Sequence, residues 1–278
     1  MKAQNRKVYE CKARGVFRKE GLTPLPGDKV LFTIIDEDEG KGFIESIFPR
    51  ECQLIRPAIA NVNQLAIVIA AKDPEPDFLF LDKLLVIAIK ERIYPFICIN
   101  KIDLDIEKEY VRIMEIYGRN NCPVVAMSSK TGIGIESLRE KLFDKITVLA
   151  GQSGVGKSTI LNRIAGSWVM ETGNISEKIK RGKHTTRHAE LFQLSFGGYV
   201  ADTPGFSSLE LIEIGAEELQ YFYPEFSEYI GKCKFRSCSH ITEPGCRIKK
   251  EVDAGNIDHG RYLRYVELCG LLKQKRTF

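Results

Sequence analysis

Apolar positions recur along this chain with three different rhythms. Over the first 60 or so residues they form short alternating runs broken by glycine and proline. Residues 29–35 and 42–47 alternate at period two, Pro24, Pro26 and Gly27 mark a turn before the first of these runs, and residues 7–11 read as another strand. Such segments leave little room for helices and predict a small β-barrel. From residue 63 to 212 strand and helix patterns take turns. Continuous apolar runs at 65–71, 94–99, 123–127 and 146–149 predict buried strands, and residues 199–201 a further one. Between them, 77–92, 106–117 and 135–143 carry apolar residues at helical spacing, and 158–164 predicts a helix after the fourth run. This alternation implies a mostly parallel sheet covered on both faces, which binds ligands at the carboxyl ends of its strands. From residue 213 the chain turns polar, basic and rich in cysteine, with a short helix predicted near residues 217–223 and a last one from His259 or Gly260 to Lys275. The expected organisation is therefore 1–62, 63–212 and 213–278: a β-barrel, an α/β domain and a small helical module.

Three loops that follow predicted strands carry chemistry. Gly151-Gln152-Ser153-Gly154-Val155-Gly156-Lys157-Ser158 fits the phosphate-loop pattern G-x-x-x-x-G-K-[ST] between a strand and a helix. Its glycines let the backbone approach phosphate, its N–H groups and helix N-terminus form an anion nest, and Thr159 follows within the first helical turn. Lys157 is expected on the β- and γ-phosphates and Ser158 on Mg²⁺. Asn100-Lys101-Ile102-Asp103 follows the 94–99 run. A carboxylate at 103 accepts from guanine N1–H and N2–H₂, a donor pair that adenine lacks, and so selects GTP over ATP. Asn100 is expected to bridge loop and base, and the stem of Lys101 to cover the ring. Ser128-Ser129-Lys130 follows the 123–127 run and is placed to offer backbone N–H groups to guanine O6.

The hydrolytic side of the pattern lies further on. Asp202-Thr203-Pro204-Gly205 follows a strand, with Asp202 expected to hold Mg²⁺ through water and the Gly205 N–H to meet the γ-phosphate. Before it comes the polar segment Gly182-Lys183-His184-Thr185-Thr186, in which one of Thr185 and Thr186 is expected to ligate Mg²⁺. Phe206 stands where many GTPases place a water-orienting glutamine, which predicts slow intrinsic hydrolysis and assigns the water to His184 or to a group from a partner. In most GTPases the phosphate loop comes first, the switches next and the base-recognition motifs last. Here base recognition precedes the phosphate loop, which is a circular permutation. It makes the segment after Asp202 lead directly into the C-terminal region.

Charge and cysteine complete the reading. Net charge is +4, with 44% hydrophobic and 28% charged residues, as in a globular protein. Basic residues crowd both ends (Lys2, Arg6 and Lys7; Lys232, Lys234 and Arg236), which suits a polyanion. Tyr9, Phe17 and Phe235 are candidates for stacking on bases, with ordinary packing the competing role of each. No apolar run reaches membrane-spanning length and no signal peptide is evident, so a cytoplasmic monomer is expected. Cys233, Cys238, His240 and Cys246 fall within fourteen residues, a Cys₃His set suited to one structural Zn²⁺.

The motifs at 100–103, 151–158, 182–186 and 202–205, together with the Cys/His cluster, resemble the circularly permuted, ribosome small-subunit-dependent GTPases of the RsgA type. The likeness extends over nearly the whole chain. It implies an N-terminal OB-fold, a permuted P-loop GTPase domain and a C-terminal zinc domain. It further implies that GTP hydrolysis to GDP is stimulated by the small (30S) ribosomal subunit and assists late maturation of that subunit through 16S rRNA binding. One departure stands out: the family usually begins with a further β-strand, whereas Met1-Lys2-Ala3 lies almost directly before what reads as the second. A GTP-gated RNA tether in which hydrolysis is incidental is the competing function, and a general RNA-binding protein using nucleotide to fold is a third.

Overall fold

The computed structural model describes residues 1, 7–15, 17, 21–54, 58–120, 122–165, 190–202 and 214–275. In the N-terminal module, β1 (Glu10–Ala13) runs parallel to β3 (Lys41–Ile47), and β2 (Val30–Asp36) pairs antiparallel to β3 on its other side. The strand expected at 7–11 thus lies three residues later. Tyr9 and Phe17 are buried, so neither offers a face to a base; the Tyr9 ring packs 5.5 Å from that of Phe32 and its hydroxyl donates to Glu37. Phe235 remains exposed.

A short hairpin of β4 (Gln53–Leu54) and β5 (Ile59–Ala60) leads into the central domain, and Leu54, Ile59 and Val62 are buried in its core. Buried Asn61 ties the joint by donating to Gly27 O at 3.0 Å and accepting from Glu51 N at 2.9 Å.

The central sheet contains β6 (Gln64–Ala70), β7 (Tyr94–Asn100), β8 (Val124–Ala126), β9 (Ile146–Ala150), β10 (Glu190–Gln193) and β11 (Tyr199–Asp202) in the spatial order β10-β11-β9-β6-β7-β8. All pairs are parallel except β10–β11, so the mixed edge adds one antiparallel strand to the expected parallel sheet. Every residue of β6 is buried. Its pleat sends Leu65, Ile67 and Ile69 to one face and Ala66, Val68 and Ala70 to the other, feeding two separate apolar clusters. Helices α1 (Phe78–Lys90), α2 (Glu109–Gly118), α3 (Ile135–Leu142) and α4 (Lys157–Ala165) cover those faces. Starting the count at β9, the strand before the phosphate loop, the order β9, β10, β11, β6, β7, β8 restores the usual succession of phosphate loop, switch strands and base-recognition strands; the chain enters this succession at β6.

Helix α2 starts three residues later than the pattern at 106 predicts. After β7 the chain makes a 3₁₀ turn at Ile102–Leu104, then needs a left-handed residue at Lys108 (φ +58°), which leaves Ile106 almost wholly exposed. Buried Asp105 holds this bend by accepting from Tyr110 N at 2.8 Å.

The C-terminal module packs two 3₁₀ turns, Leu219–Phe222 and Pro224–Phe226, against α5 (Arg247–Asp253) and α6 (His259–Lys275). Its core of Leu219, Tyr223, Phe226, Ile248, Tyr265 and Leu268 also takes in Val86 and Ile87 of α1. Helix α1 is therefore apolar on opposite sides: Leu81, Leu84, Leu85 and Ala88 face the sheet while Val86 and Ile87 face the module. No described helix is long and apolar enough to cross a membrane.

Candidate nucleotide site and Cys/His centre

The carboxyl ends of β6, β7, β8, β9 and β11 lie together, since Ala70 is in register with Asn100, Ile99 with Ala126, Ile67 with Ala150, and Asp202 with Leu149. This register places the loops at 100–103, 128–130 and 151–158 along one edge of the sheet. Asn100 is the joint between them. Fully buried at the end of β7, it donates from Nδ2 to Val155 O at 2.8 Å and accepts at Oδ1 from Ser129 N at 2.9 Å. One amide thus fixes the phosphate loop against the 128–130 loop.

Each loop has a local reason for its shape. At Gly156 φ is +96°, and a Cβ would overlap Asn100 Nδ2. Gly154 (φ +82°) also takes a conformation closed to most side chains. Lys157 opens α4 and donates to Gly151 O at 2.7 Å and Gln152 O at 2.8 Å, bending its ammonium back over the loop. Ser128 is buried; its N–H bonds Ile133 O at 2.9 Å and its Oγ accepts from Thr131 N at 3.1 Å, closing a tight turn with Ser129 and Lys130. Lys101 adopts φ +62° and its ammonium donates to Asp73 O, which ties the 100–103 loop to the loop before α1. Asp103 is exposed in the 3₁₀ turn. Ser153, Ser158 and Thr159 lie on the loop and the first turn of α4, and Asp202 closes β11 at the same edge. His184, Thr185, Thr186, Gly205 and Phe206 lie outside the described residues.

Sequence reasoning missed the segment that borders this site. Gln152 Nε2 donates to Asp77 Oδ2 at 3.1 Å, and Asp77 Oδ1 caps α1 through Phe80 N at 2.9 Å. Gln152 and Asp77 stand 75 residues apart within the same α/β domain, and only the fold brings them together.

In the C-terminal module, the ligand atoms of Cys233, Cys238, His240 and Cys246 all lie within 4.8 Å of one another. Cys233 Sγ stands 3.5 Å from His240 Nδ1 and 3.9 Å from Cys246 Sγ, and Cys246 Sγ stands 3.4 Å from Nδ1. Tetrahedral Zn²⁺ ligands, with Zn–S about 2.3 Å and Zn–N about 2.0 Å, are separated by about 3.5–3.8 Å. The donor set and its spacing therefore fit a zinc centre. Three contacts prepare it. His240 Nε2 faces Gln220 Oε1 at 2.9 Å, so an Nε2–H donated to Gln220 leaves the Nδ1 lone pair toward the sulfurs. Arg247 N–H points to Cys233 Sγ at 3.2 Å. The tight turn between ligands is held by Glu243, which accepts from Ser239 Oγ and N and from Ile241 N. Burial opposes ionisation of Glu243, but those donors outweigh it and bring its pKa down to about 2. Burial pushes the Cys238 thiol up to about 12 and lowers the His240 pKa; a divalent cation binds the thiolate form and reverses the trend at sulfur.

The module is fastened by buried charge. Asp82, fully buried on α1, accepts from Arg261 Nη1 at 2.6 Å, Arg264 Nε at 2.5 Å and the Tyr117 hydroxyl at 2.8 Å. Arg261 also grips Glu225 with Nε at 2.7 Å and Nη2 at 3.1 Å, and its guanidinium lies over the rings of Tyr117 and Tyr223. Burial works against the Arg261 charge, yet Asp82 and Glu225 more than offset it and raise its pKa.

Comparison with known proteins agrees with this architecture. The family models described as the RsgA N-terminal domain and RsgA GTPase match residues 2–44 and 47–212. A protein of Ruminiclostridium cellulolyticum named small ribosomal subunit biogenesis GTPase RsgA is 56% identical over 266 residues, covering 96% of this chain and 87% of its own. The crystal structure of YjeQ from Thermotoga maritima superposes with a TM-score of 0.83 at 38% identity, covering 97% of this chain and 91% of that one. That of YloQ, titled a circularly permuted GTPase, superposes with a TM-score of 0.78 at 38% identity, covering 97% and 88%. With its phosphate-loop strand fourth in chain order within the central sheet, a β-module before it and a Cys₃His module after it, the chain belongs to the RsgA family of GTPases.

Proposed function

We propose that this chain hydrolyses GTP during biogenesis of the small ribosomal subunit, in the cytoplasm and as a monomer, with turnover stimulated by the 30S subunit and with 16S rRNA as its polyanionic ligand. The observation that carries the GTPase reading is the Asn100 joint, which binds a phosphate loop and two base-side loops into one site. The ribosomal part rests on the name of the R. cellulolyticum relative and on the basic residues of both ends.

In this reading Asp103 selects guanine by accepting from N1–H and N2–H₂, Lys101 covers the ring, and the turn at Ser128, Ser129 and Lys130 offers N–H groups to O6. The backbone from Gly151 to Ser158 cradles the phosphates, Lys157 neutralises the β- and γ-phosphates, and Thr159 continues the first turn of α4. Ser158, Asp202 and one of Thr185 and Thr186 form the hard-oxygen set that would hold Mg²⁺, which supplies charge neutralisation at the phosphate oxygens. His184, or a group from the subunit, orients the water whose oxygen attacks the γ-phosphorus as its bond to the bridging oxygen breaks, releasing GDP. Phe206 makes no hydrogen bond to that water, which is why turnover depends on the partner. Cys233, Cys238, His240 and Cys246 would hold one Zn²⁺, which closes the module and takes no part in hydrolysis.

GTP turnover measured with and without purified small subunits, using large subunits and free RNA as controls, tests this. Stimulation by small subunits alone is expected. GTP-dependent binding to the subunit without added turnover would favour the tether, and stimulation by bulk RNA would sink the ribosomal reading.

A further inference from the structure

Helix α1 reaches from the phosphate loop to the C-terminal module. At its start, Asp77 spends one carboxylate oxygen on the helix cap and the other on Gln152 of the phosphate loop. Just over one turn on, Asp82 is buried beneath Arg261 and Arg264 of α6. Asp82 and Glu225 are buried and face the guanidinium groups of Arg261 and Arg264. Beside the first turn lies a cavity of ≈ 420 Å³, bordered by Glu75, Phe78, Ile113, Tyr117, Asp258 and Arg264. Phe78 and Phe80 pack the first turn against the sheet core and Leu79 packs it against the module, and the hydrogen bonds of Asp77 add a polar tie to the phosphate loop. The preceding loop meets the site twice more, through the Lys101 ammonium on Asp73 O and through Pro74, whose Cδ lies 3.7 Å from where a Cβ on Gly154 would stand.

We infer that Asp77 is a positioning residue for the nucleotide site: through Gln152 and the cap of α1 it couples the geometry of the phosphate loop to the docking of the Cys/His module on Asp82. This rests on the guanine-nucleotide reading of the site and adds to it a route through packed residues, separate from the covalent link that follows Asp202. Coupling of this kind is reciprocal, so loosening the module must weaken nucleotide binding and loosening Asp77 must silence that effect.

The test is a double-mutant cycle on the full chain, read by titration of fluorescent GDP. Asp77→Ser keeps a capping oxygen for Phe80 N but is too short to reach Gln152, so GDP binding weakens about threefold to tenfold, the worth of one ordinary hydrogen bond. Arg264→Gln, at the half-buried edge of the module joint, weakens GDP binding about twofold to fivefold in the wild-type background and has no effect beside Asp77→Ser. Arg264→Lys restores a cation toward Asp82 and recovers most of the loss, which separates charge at the joint from misfolding. Unchanged GDP affinity in Asp77→Ser overturns the inference, and so does an Arg264→Gln effect that is absent or equal in both backgrounds. A wild-type chain that binds no GDP overturns the proposed function along with it; a wild type that binds normally while the cycle is additive overturns only the inference.

Discussion

Replacing Asn100 by alanine tests the joint on which the nucleotide site is built. The side chain is fully buried, and its two hydrogen bonds of 2.8 and 2.9 Å satisfy the Val155 carbonyl and the Ser129 N–H. Alanine leaves both without a partner, at about 1–3 kcal/mol each. Water entering from the open side of the site recovers part of this, so the arrangement that binds nucleotide becomes harder to reach by about 2–4 kcal/mol. GDP affinity should then fall at least about 30-fold. Asn100→Asp should do no better. It keeps an acceptor for Ser129 but sets a second oxygen against the Val155 carbonyl. Ile113→Ala, in the core beneath α2, removes a comparable about 2–4 kcal/mol of stability without touching either loop. Calorimetric titration with GDP and thermal unfolding should be run on all three. A lowered melting temperature in each, with affinity lost only in the two Asn100 variants, is expected. Should Ile113→Ala lose as much affinity as Asn100→Ala, or should Asn100→Ala bind within threefold of wild type, the joint is ordinary core packing and the argument fails.

Four further outcomes follow from the same geometry. Asp103→Asn presents a donor where guanine needs an acceptor and suits a base with a carbonyl at C2; competition binding should show GDP weakened by at least about 100-fold and xanthosine diphosphate strengthened. Gly156→Ala forces a Cβ onto Asn100 Nδ2 at φ +96° and should abolish detectable GDP binding by equilibrium dialysis while the circular dichroism spectrum stays that of a folded chain. Cys246→Ser should drop zinc content below one ion per chain and, on cobalt substitution, give weaker thiolate-to-metal bands than the wild type treated alike. Arg261→Leu leaves Glu225 and part of Asp82 buried without a counter-charge, a loss of about 3 kcal/mol, and hydrogen exchange should accelerate in α6 well before it does in β6.

The elements legible in the sequence were those whose signal is local. A strand such as β6 announces itself because all seven residues are buried and the pattern needs no knowledge of its neighbours. The loops at 100–103 and 151–158 announce themselves because phosphate and guanine each demand a fixed order of side chains and glycines. The ligands of the Cys/His centre belong to the same class. Elements set by distant partners were not legible. Strand β10 has four residues of mixed polarity and gains its identity only by pairing with β11. Helix α5 has seven residues and no side-chain cap, and it begins where Cys246 is drawn into the centre. Tyr9 reads either as a stacker on bases or as ordinary packing, and only the Phe32 ring and the Glu37 carboxylate explain its burial.

Asp82 falls between these classes and shows how far composition alone can be pushed. It is the one acid in Phe78–Lys90, a helix otherwise apolar on two opposite sides. A carboxylate there must be exposed, neutral or paired, and exposure is excluded by apolar neighbours on both sides. The sequence leaves open which of these holds; the structure shows pairing, with Arg261 lying 179 residues away and only the fold bringing it within reach. Such a pair adds little to stability over an apolar pair of the same shape. What it secures is register: a carboxylate gripped by two guanidinium groups and a tyrosine hydroxyl fixes where α6 lies along α1. Under the coupling proposed above, the module needs that fixed register more than it needs additional stability, and this gives a physical reason for an acid in the middle of an apolar helix.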